Sequence, residues 1–315
     1  MIQIGYDEIK NSIRQEDLFA PIKEVFIDYS SPKLIGITVN LLHFGNDADA
    51  HIKTAAIKGY DYFSIKVATM FPDNSSKNLS PFDGAIFLFD ATTGAPVAVL
   101  RDKGLLTDLR TAAAGAISTN HIAHESADIV GVIGTGIQAA LQIEALQHLR
   151  PIKKLLIFGR SPHKAFDLQE RLLNTLPDIK INVVDDLEKV IKESEIIFTT
   201  TSSKSPLVKG DWLQAGQHIT AVGADDTCKH ELDSACFASA DKIFLDSLEL
   251  NKQFGEYSHI STDESILKKT IEFGYAFTNS DSQNNGNQIT IAKLVGVGVQ
   301  DLAAATLVLK NLTTK

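Results

Sequence analysis

Residues 129–146, IVGVIGTGIQAALQIEAL, set a short apolar run against a glycine pair and an amphipathic stretch. Residues 130–133 read as a buried strand, and the spacing of Ile137, Leu141, Ala145 and Leu146 predicts a helix. Between them lies Gly134-Thr135-Gly136-Ile137-Gln138-Ala139. In a dinucleotide site the first glycine permits the tight turn and the second lets the backbone approach a pyrophosphate. The small Ala139 then allows helix and strand to pack closely. The phosphates would rest on the unpaired N–H groups of the helix N-terminus, where the helix dipole favours negative charge. The competing reading is a glycine-rich strand-to-helix turn with no ligand. The strand before the glycines and the helix after them favour the nucleotide.

Outward from this centre, strand and helix alternate. Strands are predicted at 154–158, 181–184, 196–199, 218–222 and 242–245, with helices over 163–176 and 187–193, the pace of a parallel doubly wound sheet. On the N-terminal side, residues 108–121 form an Ala-rich helix. Before it come strands at 34–42, 51–56 and 60–70, then a hairpin of 85–90 with 96–100 around Thr92-Thr93-Gly94. Residues 1–30 read as one or two helices interrupted at Pro21. The end of the tail, 288–312, is strongly apolar and helical and is expected to return to the N-terminal part. Residues 280–287 read as a polar turn or loop. The fold class is therefore α/β: a Rossmann-type domain over 119–291, and an α+β domain from 1–118 and 292–315.

At 315 residues the chain is long for one core, which agrees with two domains. A net charge of -9 argues against general nucleic-acid or anionic-membrane binding. No apolar run approaches the roughly 20 residues of a membrane helix, and the N-terminus has no charged segment followed by an apolar one, so a cytoplasmic protein is expected. The two cysteines, Cys228 and Cys236, read as reduced thiols. Zinc takes three or four ligands at set spacings, and His218 and His230 form no such pattern with these cysteines, so no metal is expected.

Several residues could carry chemistry. An NAD site commonly places an acid after the second strand, whereas a 2′-phosphate asks for an arginine. Here that strand runs into Gly159-Arg160-Ser161-Pro162-His163-Lys164. Arg160 and Ser161, aided by Lys164, suit a phosphate, so NADP(H) is favoured over NAD(H). An exposed loop arginine is the alternative. Lys66 lies mid-strand, opposite in face to Ile65 and Val67 and beside Ser64 and Ala68. It is either solvated or turned into a cleft, where burial lowers its pKa and it can meet a carboxylate or give a proton. Arg110, near the start of a helix, suits neither the helix dipole nor an alanine interface and asks for an anionic partner. A substrate carboxylate and a structural salt bridge are both open. Asp225 and Asp226 fall at the C-terminal edge of the sheet, where open α/β folds bind ligands. Either could act as acid or base, although one of the two is expected to serve a turn. Thr200 and Thr201, at another strand end, suit the cofactor path.

Taken together, these residues resemble the ornithine cyclodeaminase and mu-crystallin family. The stretches that carry the likeness are Ile65-Lys66-Val67 through Phe71-Pro72-Asp73-Asn74, Thr92-Thr93-Gly94-Ala95-Pro96, Leu106-Thr107-Asp108-Leu109-Arg110-Thr111-Ala112-Ala113, the glycine motif, and Ala221-Val222-Gly223-Ala224-Asp225. The resemblance implies that Lys66 and Arg110 bind a substrate carboxylate and that Asp225 acts beside the reacting nitrogen. It also implies that Thr111, Val222 and Gly223 join the glycine motif, Arg160, Ser161, Lys164, Thr200 and Thr201 in holding the cofactor. Family members are typically homodimers joined through the non-nucleotide domain.

The chain departs from ornithine cyclodeaminase in three ways. It lacks a clear counterpart of an early carboxylate-binding arginine, for which Lys53 is the candidate substitute. It also lacks the acid that receives ornithine's distal amine, and Gly159-Arg160 stands where an NAD user has an acid. The resulting expectation is hydride transfer between nicotinamide and the α-carbon of an imino (ketimine) or amino acid. The alternatives are an ammonia lyase that recycles NAD, and an NADPH-dependent small-ligand-binding protein of the crystallin kind.

Overall fold

The computed structural model describes residues 1–46, 48–279 and 282–314. Ser280 and Asp281, within the stretch read as a polar turn, lie outside the described residues. Two units divide the chain: residues 1–110 with 297–315, and residues 111–296.

The first unit begins with β1 (Ile2–Ile4), α1 (Tyr6–Ser12) and α2 (Phe19–Tyr29), followed by β2 (Leu34–Gly45), β3 (Ala48–Ile57), β4 (Tyr62–Met70), β5 (Phe82–Asp90) and β6 (Pro96–Leu100). Helix α3 (Leu105–Ile122) crosses into the second unit. There follow β7 (Ile129–Ile133), α4 (Ile137–Gln147), β8 (Lys154–Phe158), α5 (Pro162–Thr175), β9 (Lys180–Val183), α6 (Leu187–Glu193), β10 (Ile196–Thr199) and β11 (His218–Ala221). After them come α7 (Ser234–Ser239), β12 (Lys242–Leu245), α8 (Leu248–Asn251), α9 (Glu264–Leu267), β13 (Thr270–Glu272), α10 (Phe273–Thr278) and β14 (Thr290–Lys293). Helix α11 (Gly298–Thr313) belongs to the first unit again.

In the second unit the strand order is β13-β12-β14-β11-β10-β7-β8-β9, with every pairing parallel. Strands buried on both faces read as continuous apolar runs, which is why IVGVI, KLLIF and KIFL were visible. The order reverses between β7 and β10, the place where a doubly wound sheet opens a crevice at its strand ends. The chain thus consists of a Rossmann-type unit and an α+β unit. Strand β14 was not anticipated: residues 290–293 sit in the middle of the sheet between β11 and β12. A polar chain fixes it there, since His218 bonds Thr290 at 2.9 Å and Thr220 at 3.0 Å, and Thr220 bonds Thr119 of α3 at 2.6 Å. Burial lowers the His218 pKa to about 3, so this histidine is neutral and structural. Arg150 closes the C-terminal end of α3, donating to the carbonyls of Asn120 and His124 at 3.0 and 2.9 Å.

In the first unit the order is β1-β6-β5-β4-β3-β2, antiparallel except for β1 beside β6. The short β1 was not anticipated. Pro21 does not interrupt the second helix but stands in its first turn, where a missing N–H costs nothing, and the break falls at Ile13 and Arg14 instead. Helix α11 packs against α2 and across β3 and β4. Gly298 lies so close that a Cβ there would sit 2.5 Å from the Thr54 carbonyl oxygen. The boundaries between the units fall at 110 and 296, not at 118 and 291, because the strand over 290–293 belongs to the second sheet.

Candidate active site

Within the second unit, a cavity of about 480 Å³ is lined by Gly134, Thr135, Gly136, Arg160, Ser161, Lys164, Thr200 and Thr201, among others. Gly134 has φ +121°, and a Cβ there would meet the Thr200 hydroxyl oxygen at 2.4 Å, so no other residue fits. A Cβ on Gly136, by contrast, would meet nothing within 4 Å. Gly136 caps α4 without a side-chain hydrogen bond, so no capping side chain occupies the helix N-terminus, the end at which the helix dipole favours an anion. These features fit a dinucleotide pyrophosphate.

Ile137, the first residue of α4, is 48% exposed and lies off the helix's buried face. That face is made by Ala139, Ala140, Ile143, Ala145 and Leu146. Gln138 accepts from the Gln142 amide, which also donates to the Thr111 carbonyl at 3.2 Å and so ties α3 to α4. Arg160 and Lys164 are exposed at the cavity's edge.

Asp225 and Asp226 follow β11. Asp226 accepts the backbone N–H groups of Cys228 and Lys229 at 2.7 and 2.8 Å, the turn role expected of one of the pair. Asp225, about a third exposed, accepts from Lys229 Nζ at 2.6 Å. Val222 donates its N–H to Thr199, and Gly223 donates its own to buried Glu231.

The first unit holds a buried cluster of charge. Lys66 is 3% exposed, so it is not a solvated strand lysine. Its Nζ lies 2.9 Å from both carboxylate oxygens of Asp301 and 3.3 Å from the Thr107 hydroxyl. Arg110 Nε donates to Asp301 at 3.0 Å and Nη1 to Gln300 Oε1 at 2.5 Å. The anionic partner required by Arg110 is therefore Asp301, on the first turn of α11. Lys53 stands directly across from Lys66 in the β3–β4 register and is buried as well.

Burial alone would raise the Asp301 pKa, but Lys66, Arg110 and Lys53 together carry it below the ordinary aspartate value. Burial pushes Lys66 downward against the pull of Asp301. Asp102 is the other buried acid acting on Lys66, and burial raises its pKa while it accepts the Leu106 N–H. Lys53, Lys66, Arg110, Asp102 and Asp301 are thus all buried in the first unit. Arg110 Nη2 and the buried Gln300 Nε2 donate to no described residue. Asp301, Gln300, Thr107 and Glu231 were not foreseen from the sequence; the signal for the first was a lone acid in the apolar stretch VGVGVQDLAAA.

A doubly wound nucleotide-binding unit, joined in one chain to an α+β unit with a buried cationic cluster, defines a class of two-domain dinucleotide-binding proteins. Residues 5–315 match the model of the ornithine cyclodeaminase/mu-crystallin family, and the chain belongs to that family. An uncharacterized cyclodeaminase of Sinorhizobium fredii is 38% identical over 262 residues, covering 82% of this chain and 79% of the relative. Iminosuccinate reductase of Paracoccus denitrificans is 31% identical over 313 residues, covering 98% of this chain and 96% of the relative. The crystal structure of that enzyme with NAD+ superposes with a TM-score of 0.90 at 29% identity, covering 100% of this chain and 97% of the other. An archaeal alanine dehydrogenase dimer with bound NAD gives a TM-score of 0.89 at 26% identity, covering 100% and 96%.

Replacing Asp301 by Asn leaves two buried cations short of an anion and is expected to cost about 3–5 kcal/mol of stability, read by denaturant melts. Because the Asp301 pKa is depressed on folding, its contribution is present above the unfolded value and lost as pH falls through the lower folded one. The gap between wild type and Asp301→Asn should therefore be flat near neutrality and shrink only below about pH 4.

Proposed function

We propose that this protein is an NAD(P)-dependent oxidoreductase that transfers hydride between nicotinamide and the α-carbon of an imino or cyclic ketimine acid, giving the 2-amino acid. The observation that carries this reading is the buried cluster of Lys66, Arg110 and Lys53 around Asp301, with the buried Gln300 Nε2 beside it making no hydrogen bond to a described residue. Such a cluster suits a substrate carboxylate, which would replace lost water with charge-assisted hydrogen bonds. Fixing the carboxylate orients the α-carbon, and well-oriented reactants gain several kcal/mol of barrier reduction.

Thr111, Gly134, Thr135, Gly136, Ile137, Gln138, Thr200, Thr201, Val222 and Gly223 would hold the dinucleotide, whose nicotinamide supplies or accepts the hydride. Asp225, with Lys66 as the second candidate, would handle the proton on the substrate nitrogen. The matched relatives are consistent with this chemistry: one is an iminosuccinate reductase and another an alanine dehydrogenase. Residues 51–56 carry no acid to receive the distal ammonium of a diamino acid, which weakens ornithine as the substrate.

NADP(H) is the favoured cofactor. Arg160, Ser161 and Lys164 at the cavity's edge suit a 2′-phosphate, and no acid stands at the end of β8. A cytoplasmic location agrees with the two cysteines, which are free thiols. A homodimer is the proposed assembly. The face of the first sheet opposite α11 presents Ile52, Phe63, Ile65, Val67, Phe87 and Phe89 half-exposed, an apolar surface that association would cover.

Lys66→Ala should abolish NADPH oxidation with cyclic imines and with 2-oxo acids plus ammonia, while NADPH still binds by fluorescence titration. Lost NADPH binding would refute the assignment, and ammonia release from ornithine without net nicotinamide change would indicate a lyase. Arg160→Ala should raise the KM for NADPH about tenfold or more and leave that for NADH nearly unchanged, as expected for loss of a charge-assisted contact. Light scattering of the purified protein should give twice the monomer mass, and a monomer would contradict the proposed assembly.

A further inference from the structure

Glu231 is fully buried near the ends of β10 and β11 and uses both carboxylate oxygens twice. Oε1 accepts the Thr201 N–H at 2.5 Å and the Thr201 hydroxyl at 2.8 Å. Oε2 accepts the Thr199 hydroxyl at 2.7 Å and the Gly223 N–H at 2.8 Å. The backbone of the same short segment is also engaged. The Glu231 carbonyl takes the N–H groups of Leu207 and Val208 at 2.8 and 3.0 Å, and His230 donates to the Ser203 carbonyl at 2.6 Å. Thr201, Ser203 and Leu207 all line the nucleotide cavity, so residues 230–231 hold one of its walls at both ends.

On its other side this segment meets the turn that carries Asp225. A Cβ on Gly223 would lie 2.2 Å from the Thr201 carbonyl oxygen and 2.5 Å from Glu231 Oε1, so turn and wall touch backbone to backbone. Lys293, buried at the end of β14, donates to the Ala224 carbonyl at 2.5 Å and lies 3.6 Å from Glu256. The Asp226 carbonyl accepts the Gly255 N–H at 2.8 Å. Holding a carboxylate without water beside a second buried acid is unfavourable. Only a carboxylate, however, offers acceptors to four converging donors, and an amide in its place cannot.

We propose that Glu231, supported by Lys293, is a positioning residue for the reaction, fixing the cavity wall of residues 201–207 against the turn that presents Asp225. The proposal rests on the reading of this cavity as the dinucleotide site and of Asp225 as the proton-handling group. Glu231 touches neither cofactor nor substrate in this role; it acts through Thr201 and Gly223.

Glu231→Gln keeps the shape but turns an NH2 toward two of the four donors. Thr199→Val removes one donor and lines no part of the cavity. For both variants the measurements are NADPH affinity by fluorescence titration, kcat and KM for a cyclic imino acid, and the melting midpoint without ligand. The expected result is a kcat lowered about tenfold or more in Glu231→Gln and severalfold in Thr199→Val, with weaker NADPH binding and a substrate KM changed less than about twofold. Should Glu231→Gln fail to fold, Thr199→Val decides. A lowered melting midpoint with kcat and NADPH affinity equal to wild type overturns the proposal, since a merely structural residue would give that pattern. If the wild type binds NADPH but turns over no imino acid, the reading of Asp225 falls separately. The NADPH affinities of the two variants then decide the part concerning the cavity wall, and unchanged affinity overturns it.

Discussion

A carboxylate with no access to water holds two cations in the first unit, and much of that unit follows from it. Asp301 brings together Lys66 from β4, Arg110 from α3 and the first turn of α11. A buried charge without a partner is among the most unfavourable arrangements a protein can contain. Each of these side chains therefore limits where the others can lie. The constraint accounts for the chain's return: α11 comes back to β3 and β4 with its acid at the end where the helix dipole favours negative charge.

The second unit solves a different problem with backbone instead of charge. Its parallel strands end together at the point where their order reverses, and close approach there requires Gly134 and Gly223, each with no room for a Cβ. Glu231 then absorbs donors left over where β10 and β11 stop pairing. An acidic protein can still bind anionic ligands in this way, because helix N–H groups and a few local cations act over short distances while the net charge of -9 is spread over the whole chain.

Much of this was legible in the sequence because the signals are local. The glycine motif, the apolar strand runs and the hairpin at Thr92-Thr93-Gly94 each declare themselves within about ten residues. Features that depend on distant parts of the chain were not legible. Arg110 announced that it needs an anion, but its partner is 191 residues away and no spacing rule connects them. Residues 290–293 carry too short an apolar pattern to be separated from the helix that follows, and only pairing with β11 and β12 makes them a strand. Glu231 gave no warning at all: an acid in KHELD looks solvated until the strand ends close around it.

The account stands or falls on where a hydride goes. NADPH carrying deuterium at the transferable position of nicotinamide C4, incubated with the protein and a cyclic imino acid, should yield an amino acid one mass unit heavier with the label at the α-carbon. An amino acid product without the label, or no amino acid product from any imino acid while NADPH binds normally, would contradict it.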